Sequence, residues 1–290
     1  MLFKKLEITD IEIIRPFFEE NKIPSCDFSM GGVFLWRDFF KTEYLIVEET
    51  LIFRFEYFGG KLAFSSALGK NPKAVYQAVS NIHKNEELFF CIAPTEKAAE
   101  IKEFFKEREV KTELQRDWFD YLYLPEDLAE FKGKKFSAKR NHLNKFKKLY
   151  ENYEIKEITK ENLLDVKKFL ENFPENDGGE LYKAEEIALN ELFENYNKYN
   201  FFGIILYVNG EIAAFSIGDK IGETLFVHFE KAKTEYEGSY TLIANEFAKR
   251  FGKDVKIINR EEDMGIMGLR KSKLSYQPTA LLEKTNIYVK

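Results

Sequence analysis

Twice along this chain the hydrophobic pattern runs through the same series of elements, and that repetition limits the fold more than any single motif does. After a first helix over residues 10–22, three strand-like runs, Glu43–Val47, Leu51–Tyr57 and Lys61–Ser65, are separated by turns at Glu49-Thr50 and Gly59-Gly60. A helix from Pro72 to His83 follows, then a short apolar strand Leu88–Ile92, a helix from Thr95 to Lys106 and a strand Trp118–Leu124. The second pass begins with a strand Tyr153–Ile158 and helices over Thr159–Phe173 and Ala184–Tyr199. Strands Phe202–Val208 and Glu211–Asp219 are joined by Asn209-Gly210, the pair that tolerates positive φ at both positions of a hairpin turn. A third strand Glu223–Glu230, a helix from Gly238 to Phe251, a strand Val255–Ile258, a helix opened by Asp263 and a strand Ala280–Glu283 complete it. Each half offers a three-stranded meander, a helix, a strand, a helix and a last strand. The expected fold class is therefore mixed α/β, with two domains in tandem, each a mostly antiparallel mixed sheet flanked by helices. The expected boundaries are 1–125 for the first domain, 126–150 for a connecting helix and 151–290 for the second.

The pattern between the two halves breaks at Lys132 to Tyr150, KGKKFSAKRNHLNKFKKLY. Residues 132–148 carry eight Lys/Arg and no acid, in a protein of formal net charge −5. On a helix, Phe136, Leu143, Phe146 and Tyr150 share one face, with Leu149 on its flank. Lys139 falls inside that stripe and Arg140 at its edge, while Lys145 and Lys148 point away. An ammonium turned inward needs a partner, because desolvating it alone is expensive. Either Lys139 snorkels past the stripe or pairs with a structural carboxylate, or it serves a site; a burial measurement separates these.

Composition excludes several classes. Hydrophobic residues make up 44% of the chain and aromatics 16%, with 29 phenylalanines, which describes a folded globular protein with an aromatic core. No apolar run approaches the length of a membrane-spanning helix, so no integral membrane segment and a cytoplasmic location are expected. The mild acidity leaves the local basic segment as the only surface for a polyanion. Cys26 and Cys91 have no CxxC or Cys/His company and read as small buried residues. His83, His142 and His228 lack metal-ligand spacing, so no metal is expected.

Four further places carry candidate chemistry. The turn at Gly238, Ser239 and Tyr240 opens a helix, where free amides hold a phosphate or a carbonyl oxygen, unless Gly238 only permits a tight turn. Asn259-Arg260-Glu261-Glu262-Asp263 follows a buried strand, the usual ligand position in open α/β sheets. There Arg260 is suited to clamp a phosphate or carboxylate, or else it pairs with the neighbouring acids while Asp263 caps a helix ending in Arg270, Lys271 and Lys273. The loop Pro174–Glu180, with Asp177-Gly178-Gly179, reads as a lid or a simple turn. His228 or Glu230, at the end of a strand, is placed to accept a proton, though a lone histidine in an alternating strand is more often structural.

The element order resembles the acyltransferase fold of the GNAT superfamily. Three stretches narrow it: Lys139-Arg140-Asn141 with Asn144 and Phe146, Glu237-Gly238-Ser239-Tyr240, and Ile258-Asn259-Arg260-Glu261-Glu262-Asp263 with Gly268-Leu269-Arg270-Lys271. These resemble the family of bacterial proteins related to the C-terminal domain of phosphatidylglycerol lysyltransferase, a tandem GNAT arrangement similar to the Fem-type peptidoglycan aminoacyltransferases. The likeness spans roughly residues 1–285, with its specific motifs in the second half. It implies an acyl or aminoacyl transferase that uses aminoacyl-tRNA as donor and an amine or hydroxyl acceptor on a small molecule, peptide or lipid headgroup. It also implies a donor-binding set of Lys139, Arg140, Asn141, Gly238, Ser239, Tyr240, Asn259, Arg260 and Arg270, with His228 and Glu230 as catalytic candidates. Two alternatives are an acetyl-coenzyme A dependent N-acetyltransferase and a non-catalytic tandem domain that binds an anion or a protein. The turn here has one glycine, two acids (Glu235, Glu237) and a bulky Tyr240, where coenzyme A enzymes have a glycine-rich pyrophosphate loop. That departure ranks coenzyme A below aminoacyl-tRNA. No resident cofactor is expected beyond the donor itself, aminoacyl-tRNA or coenzyme A.

Overall fold

The computed structural model describes residues 2–84, 86–173 and 180–290. It divides into two compact units: Met1–Asp120 with Glu262–Met267 and Leu281–Lys290, and Tyr121–Glu261 with Gly268–Ala280. Each holds a mostly antiparallel mixed sheet flanked by helices, as the element order implied. The loop expected at Pro174–Glu180 falls, over residues 174–179, outside the described residues.

In the first unit the strands run in the order Lys4–Lys5, Glu43–Val47, Thr50–Tyr57, Lys61–Phe64, Leu88–Pro94, Lys284–Val289, Val110–Leu114. Only the contact of Lys61–Phe64 with Leu88–Pro94 is parallel. The Pro72–Ile82 helix, with proline in its first turn and Asn71 accepting from the Ala74 amide, buries Val75, Tyr76 and Val79. The Thr95–Phe104 helix adds Ala98 and Ile101 to the same core, where Tyr76, Phe90 and Phe105 pack edge-on and tilted.

The second sheet runs from Ala280–Leu282 through Asp120–Tyr123, Ile257–Asn259, Thr224–Ala232, Glu211–Ile221 and Phe202–Val208 to Tyr153–Glu157. From Asp120–Tyr123 onward the Thr224–Ala232 and Ile257–Asn259 pair is parallel and the others antiparallel. Asn209 (φ 51°) and Gly210 (φ 84°) both take the left-handed conformation that the hairpin requires. The Ser239–Phe251 helix is apolar on nearly every turn because it packs on the sheet and on the Pro125–Glu130 and Ser137–Leu149 helices. Its buried Asn245 donates to the carbonyls of Leu128 and Ala129.

These units differ from the expected boundaries in two respects. The basic Ser137–Leu149 helix is part of the second unit rather than a separate connector, because Phe136 and Phe146 are fully buried there. And the last strand of each half lies in the other half's sheet. Asp120–Tyr123 pairs with Ile257–Asn259, and Lys284–Val289 inserts between Leu88–Pro94 and Val110–Leu114. The expected helix opened by Asp263 begins later, at Met267, because Asp263 is fully buried and binds the Gly265 amide and Arg116.

Candidate functional site

The strand Thr224–Ala232 and the turn after Ile257–Asn259 put the second unit's chemistry together. Arg260 donates to Glu230 Oε1 at 2.6 Å with both side chains about nine-tenths buried. Burial works against the Arg260 charge, but Glu230 overrides it and holds the guanidinium firmly protonated. Burial pushes the Glu230 carboxyl up, opposed by Arg260, Lys273 and Lys139. Arg260 Nη1 is buried and without a hydrogen-bond partner among the described residues. The Arg260 guanidinium lies 4.4 Å from the centre of the Tyr276 ring, and its backbone carbonyl accepts from Lys273 at 2.5 Å.

Lys139 reaches the same ring. Its Nζ sits 3.3 Å from the Tyr276 centroid, and the residue is 8% exposed, so the inward direction read from the helical pattern is correct. The partner is the aromatic face rather than an acid. Burial lowers the Lys139 ammonium to about 8, the Arg260 charge acts in the same direction, and Glu230 opposes them. Two cations thus share one tyrosine ring beside a single carboxylate, an electropositive arrangement with N–H groups left over.

The other expected donor-binding residues divide. Arg140 Nη1 donates to the carbonyls of Phe131 and Gly133, so it closes the end of the Pro125–Glu130 helix. Asn141 is exposed on the helix surface and Arg270 is half-buried on the Met267–Leu274 helix. Asn259 is fully buried and accepts from the Glu261 amide at 2.6 Å, which shapes the turn that carries Arg260.

At the Gly238 turn the amides are not all available. Ser239 N–H donates to the Tyr236 carbonyl at 2.9 Å and its hydroxyl to Lys233. Gly238 has φ 91°, and a Cβ there would stand 2.6 Å from the His142 carbonyl and 3.1 Å from Phe146 Cβ. A tight turn against the basic helix is therefore sufficient reason for this glycine. Glu237 pairs with Lys145 at 2.7 Å, and Tyr240, 39% exposed, lends its carbonyl to the Tyr276 hydroxyl at 3.4 Å.

His228 does not fit the role of a free base. Its Nδ1 lies 2.8 Å from Glu261 Oε1 and its Nε2 3.1 Å from Asp219 Oδ1, with the ring almost fully buried. Burial disfavours the charged ring, but Asp219 and Glu261 reverse this and raise it to about 10. An imidazolium that donates from both nitrogens has no lone pair to offer. Asp219 and Tyr276 are the site residues that sequence reasoning missed. Asp219 was visible only as an acid ending an apolar strand, and Tyr276 as an aromatic past the last helix.

The first unit contains a second ionic cluster. Lys284, fully buried, sits 2.6 Å from both Asp120 Oδ1 and Asp27 Oδ2, and Cys26 Sγ lies 3.4 Å from its Nζ. Cys26, Asp27 and Asp120 bring ligand-type atoms within 4.8 Å of one another, and the Lys284 ammonium is the cation that neutralises them. Burial opposes the Lys284 charge and the two aspartates outweigh it, while burial, with Asp120, pushes the Cys26 thiol well up. This reads as structure: a protonated lysine and an un-ionised thiol are both poor nucleophiles.

The family model described as phosphatidylglycerol lysyltransferase, C-terminal, matches residues 21–288. A curated relative, an uncharacterised protein of Mycoplasmoides gallisepticum, is 25% identical over 167 residues, which is 57% of this chain. Those residues are 54% of the relative, so the match spans about half its length. Among solved structures, a conserved protein of unknown function from Bacteroides thetaiotaomicron is 35% identical, with a TM-score of 0.91 and 99% of each chain covered. L-PGS from Bacillus licheniformis has a TM-score of 0.66 at 15% identity, covering 99% of this chain and 93% of that one, a likeness of fold alone. Among the described residues no helix is long and apolar enough to cross a membrane.

Proposed function

The chain belongs to the phosphatidylglycerol lysyltransferase C-terminal family, and on that footing we propose that it moves an aminoacyl group from a charged tRNA to an amine or hydroxyl acceptor. The observation that carries this is the buried group of Lys139, Tyr276, Arg260 and Glu230, with two cations, one carboxylate and unused N–H groups. Such a group suits the anionic end of a donor, whose phosphate or ester carbonyl oxygen would take the N–H of Arg260 Nη1 and the Lys139 ammonium on the Tyr276 ring.

In the proposed step the acceptor nitrogen or oxygen attacks the ester carbonyl. A C–N or C–O bond forms, the bond to the ribose oxygen breaks, and the acceptor's proton ends on that ribose hydroxyl. Catalysis comes from positioning and from polarising the carbonyl, without a covalent enzyme intermediate. Glu230 takes the proton-relay role that His228 does not fit, because its raised carboxyl lies at the cluster and only Oε1 is held by Arg260. The acceptor is an amine or hydroxyl of a small molecule, peptide or lipid headgroup. Coenzyme A is less favoured as a donor, since the Ser239 amide is taken and Glu237 stands at the turn.

The test is transfer of label from a set of radiolabelled aminoacyl-tRNAs to phosphatidylglycerol vesicles, peptides and small amines. Protein-dependent product that Arg260→Ala and Glu230→Gln each reduce supports the proposal. Absence of product with every donor and acceptor overturns it, and heat on titrating coenzyme A would replace it with an N-acetyltransferase.

A further inference from the structure

We infer that His228 is a positioning residue: as a cation clamped between Asp219 and Glu261, it fixes the Asn259–Glu261 turn and so aims the Arg260 guanidinium at Glu230. The inference rests on reading that cluster as the donor site.

The clamp begins with a bulge. The pairing of Glu211–Ile221 with Thr224–Ala232 shifts between Ile217 and Gly218, where Ile217 faces Phe229 and Gly218 faces Val227. His228 is therefore the extra residue, and a bulge re-aims its side chain. The ring is stacked on Phe226 at 6.2 Å with an interplanar angle of 5° and tilted against Phe201 at 5.5 Å. Its two nitrogens face Asp219 and Glu261.

The turn it grips is strained. Glu261 has φ 55°, a left-handed value in a residue with a Cβ, and holds it through the Asn259 side chain on its amide and His228 on its carboxylate. The backbone on either side is also tied down: Arg260 N–H donates to the Tyr121 carbonyl at 3.0 Å, and the Glu261 carbonyl accepts from Tyr121 N–H at 3.1 Å. One strand therefore holds two consecutive turn residues by opposite charges, His228 to Glu261 and Glu230 to Arg260. A neutral ring could donate to only one of its carboxylates and would turn a lone pair toward the other. The second oxygen of Asp219 is buried without a hydrogen bond among the described residues, so His228 is the cation that neutralises it.

The test uses the full chain and nuclear magnetic resonance of the His228 and Arg260 side chains. At pH 7.5 both His228 nitrogens should have the shifts of an imidazolium, and Arg260 Nε–H should give a resolved signal away from the solvent-averaged guanidinium position. In His228→Gln that Arg260 signal should collapse to the averaged position. Because this variant leaves Asp219 buried and unpaired, Asp219→Asn/His228→Gln is the foldable counterpart and should show the same collapse. Affinity for inorganic pyrophosphate should drop roughly tenfold in either variant, the scale seen when a supporting partner is removed. It should drop no further when Arg260→Met is added. A ring with one unprotonated nitrogen, or an unchanged Arg260 signal in the folded double variant, overturns the inference. If the wild-type chain binds no pyrophosphate, the donor reading fails while the two resonance measurements still decide this one.

Discussion

Lys139 is the residue at which burial and charge are most opposed. Its helical position placed it inside the apolar stripe, so its burial was legible; its partner was not, because Tyr276 lies on a distant segment that only folding brings near. Its ammonium is lowered from 10.5 to about 8, so the folded state holds the charged form less well than the unfolded chain does. Between those two values the unfolded chain binds more protons, and wild-type stability rises with pH across that window. Lys139→Met should therefore be more stable than wild type at pH 7, by something on the order of 1 kcal/mol, with the gap closing as pH passes from about 8 to 10.5. It should also bind anions more weakly. Urea midpoints of both chains at pH 7 and pH 10 check this, and a less stable variant at pH 7 would contradict it. Arg260 presents the opposite case, because removing it strands the buried Glu230. Arg260→Met should lose about 3 kcal/mol, and adding Glu230→Gln should restore part of it, measurable as a double-mutant cycle of denaturant midpoints.

Among the elements, the sequence was legible where local physics decides. The Asn209-Gly210 hairpin and the proline-started helix at Pro72 both correspond to the structure. It was misleading where a buried polar side chain overrules a cap signal, as at Asp263, and where a bulge decides what a histidine faces, as at His228. Strand Val110–Leu114 was not expected, since VKTEL carries the charges of an edge strand and little hydrophobic contrast. The Ser239–Phe251 helix start shows two reasons for a glycine that sequence cannot tell apart. Gly238 and Gly210 both have positive φ, but only Gly238 is crowded, by the basic helix, while nothing lies within 4 Å of a Cβ at Gly210. Gly210→Ala should then lose about 1 kcal/mol for backbone strain alone. Gly238→Ala should lose about 2 to 3 kcal/mol, as the basic helix is also pushed away. Equal losses in thermal unfolding would mean that the helix contact contributes nothing.

At the scale of the whole molecule, what local pattern could not reveal is that each half's last strand completes the other half's sheet. Element order along the chain is the same with or without that exchange, so periodicity is blind to it. Its consequence is concentrated at the chain's end. Lys284–Val289 supplies both neighbours' hydrogen bonds, pairing Leu88–Pro94 on one side and Val110–Leu114 on the other, and buries Ile287 and Val289 completely. Its first residue, Lys284, also neutralises Asp120, the first residue of the other exchanged strand, inside the first unit. A chain stopped after Leu282 therefore loses more than a terminal strand: it opens two sheet edges in the first unit and takes the Lys284 ammonium away from the buried Asp120 and the half-buried Asp27. Such a chain should be insoluble or rapidly degraded by protease, although it lacks only the last few residues. The ionic part separates from the strand part by substitution. Lys284→Met alone should lose about 3 to 5 kcal/mol because it strands a buried carboxylate, and Lys284→Met/Asp120→Asn should recover much of that, while no change at Asp120 should rescue the truncated chain. If the truncated chain proves as resistant to protease as the full one, Lys284–Val289 is not integral to the first sheet and the exchange has no part in stability.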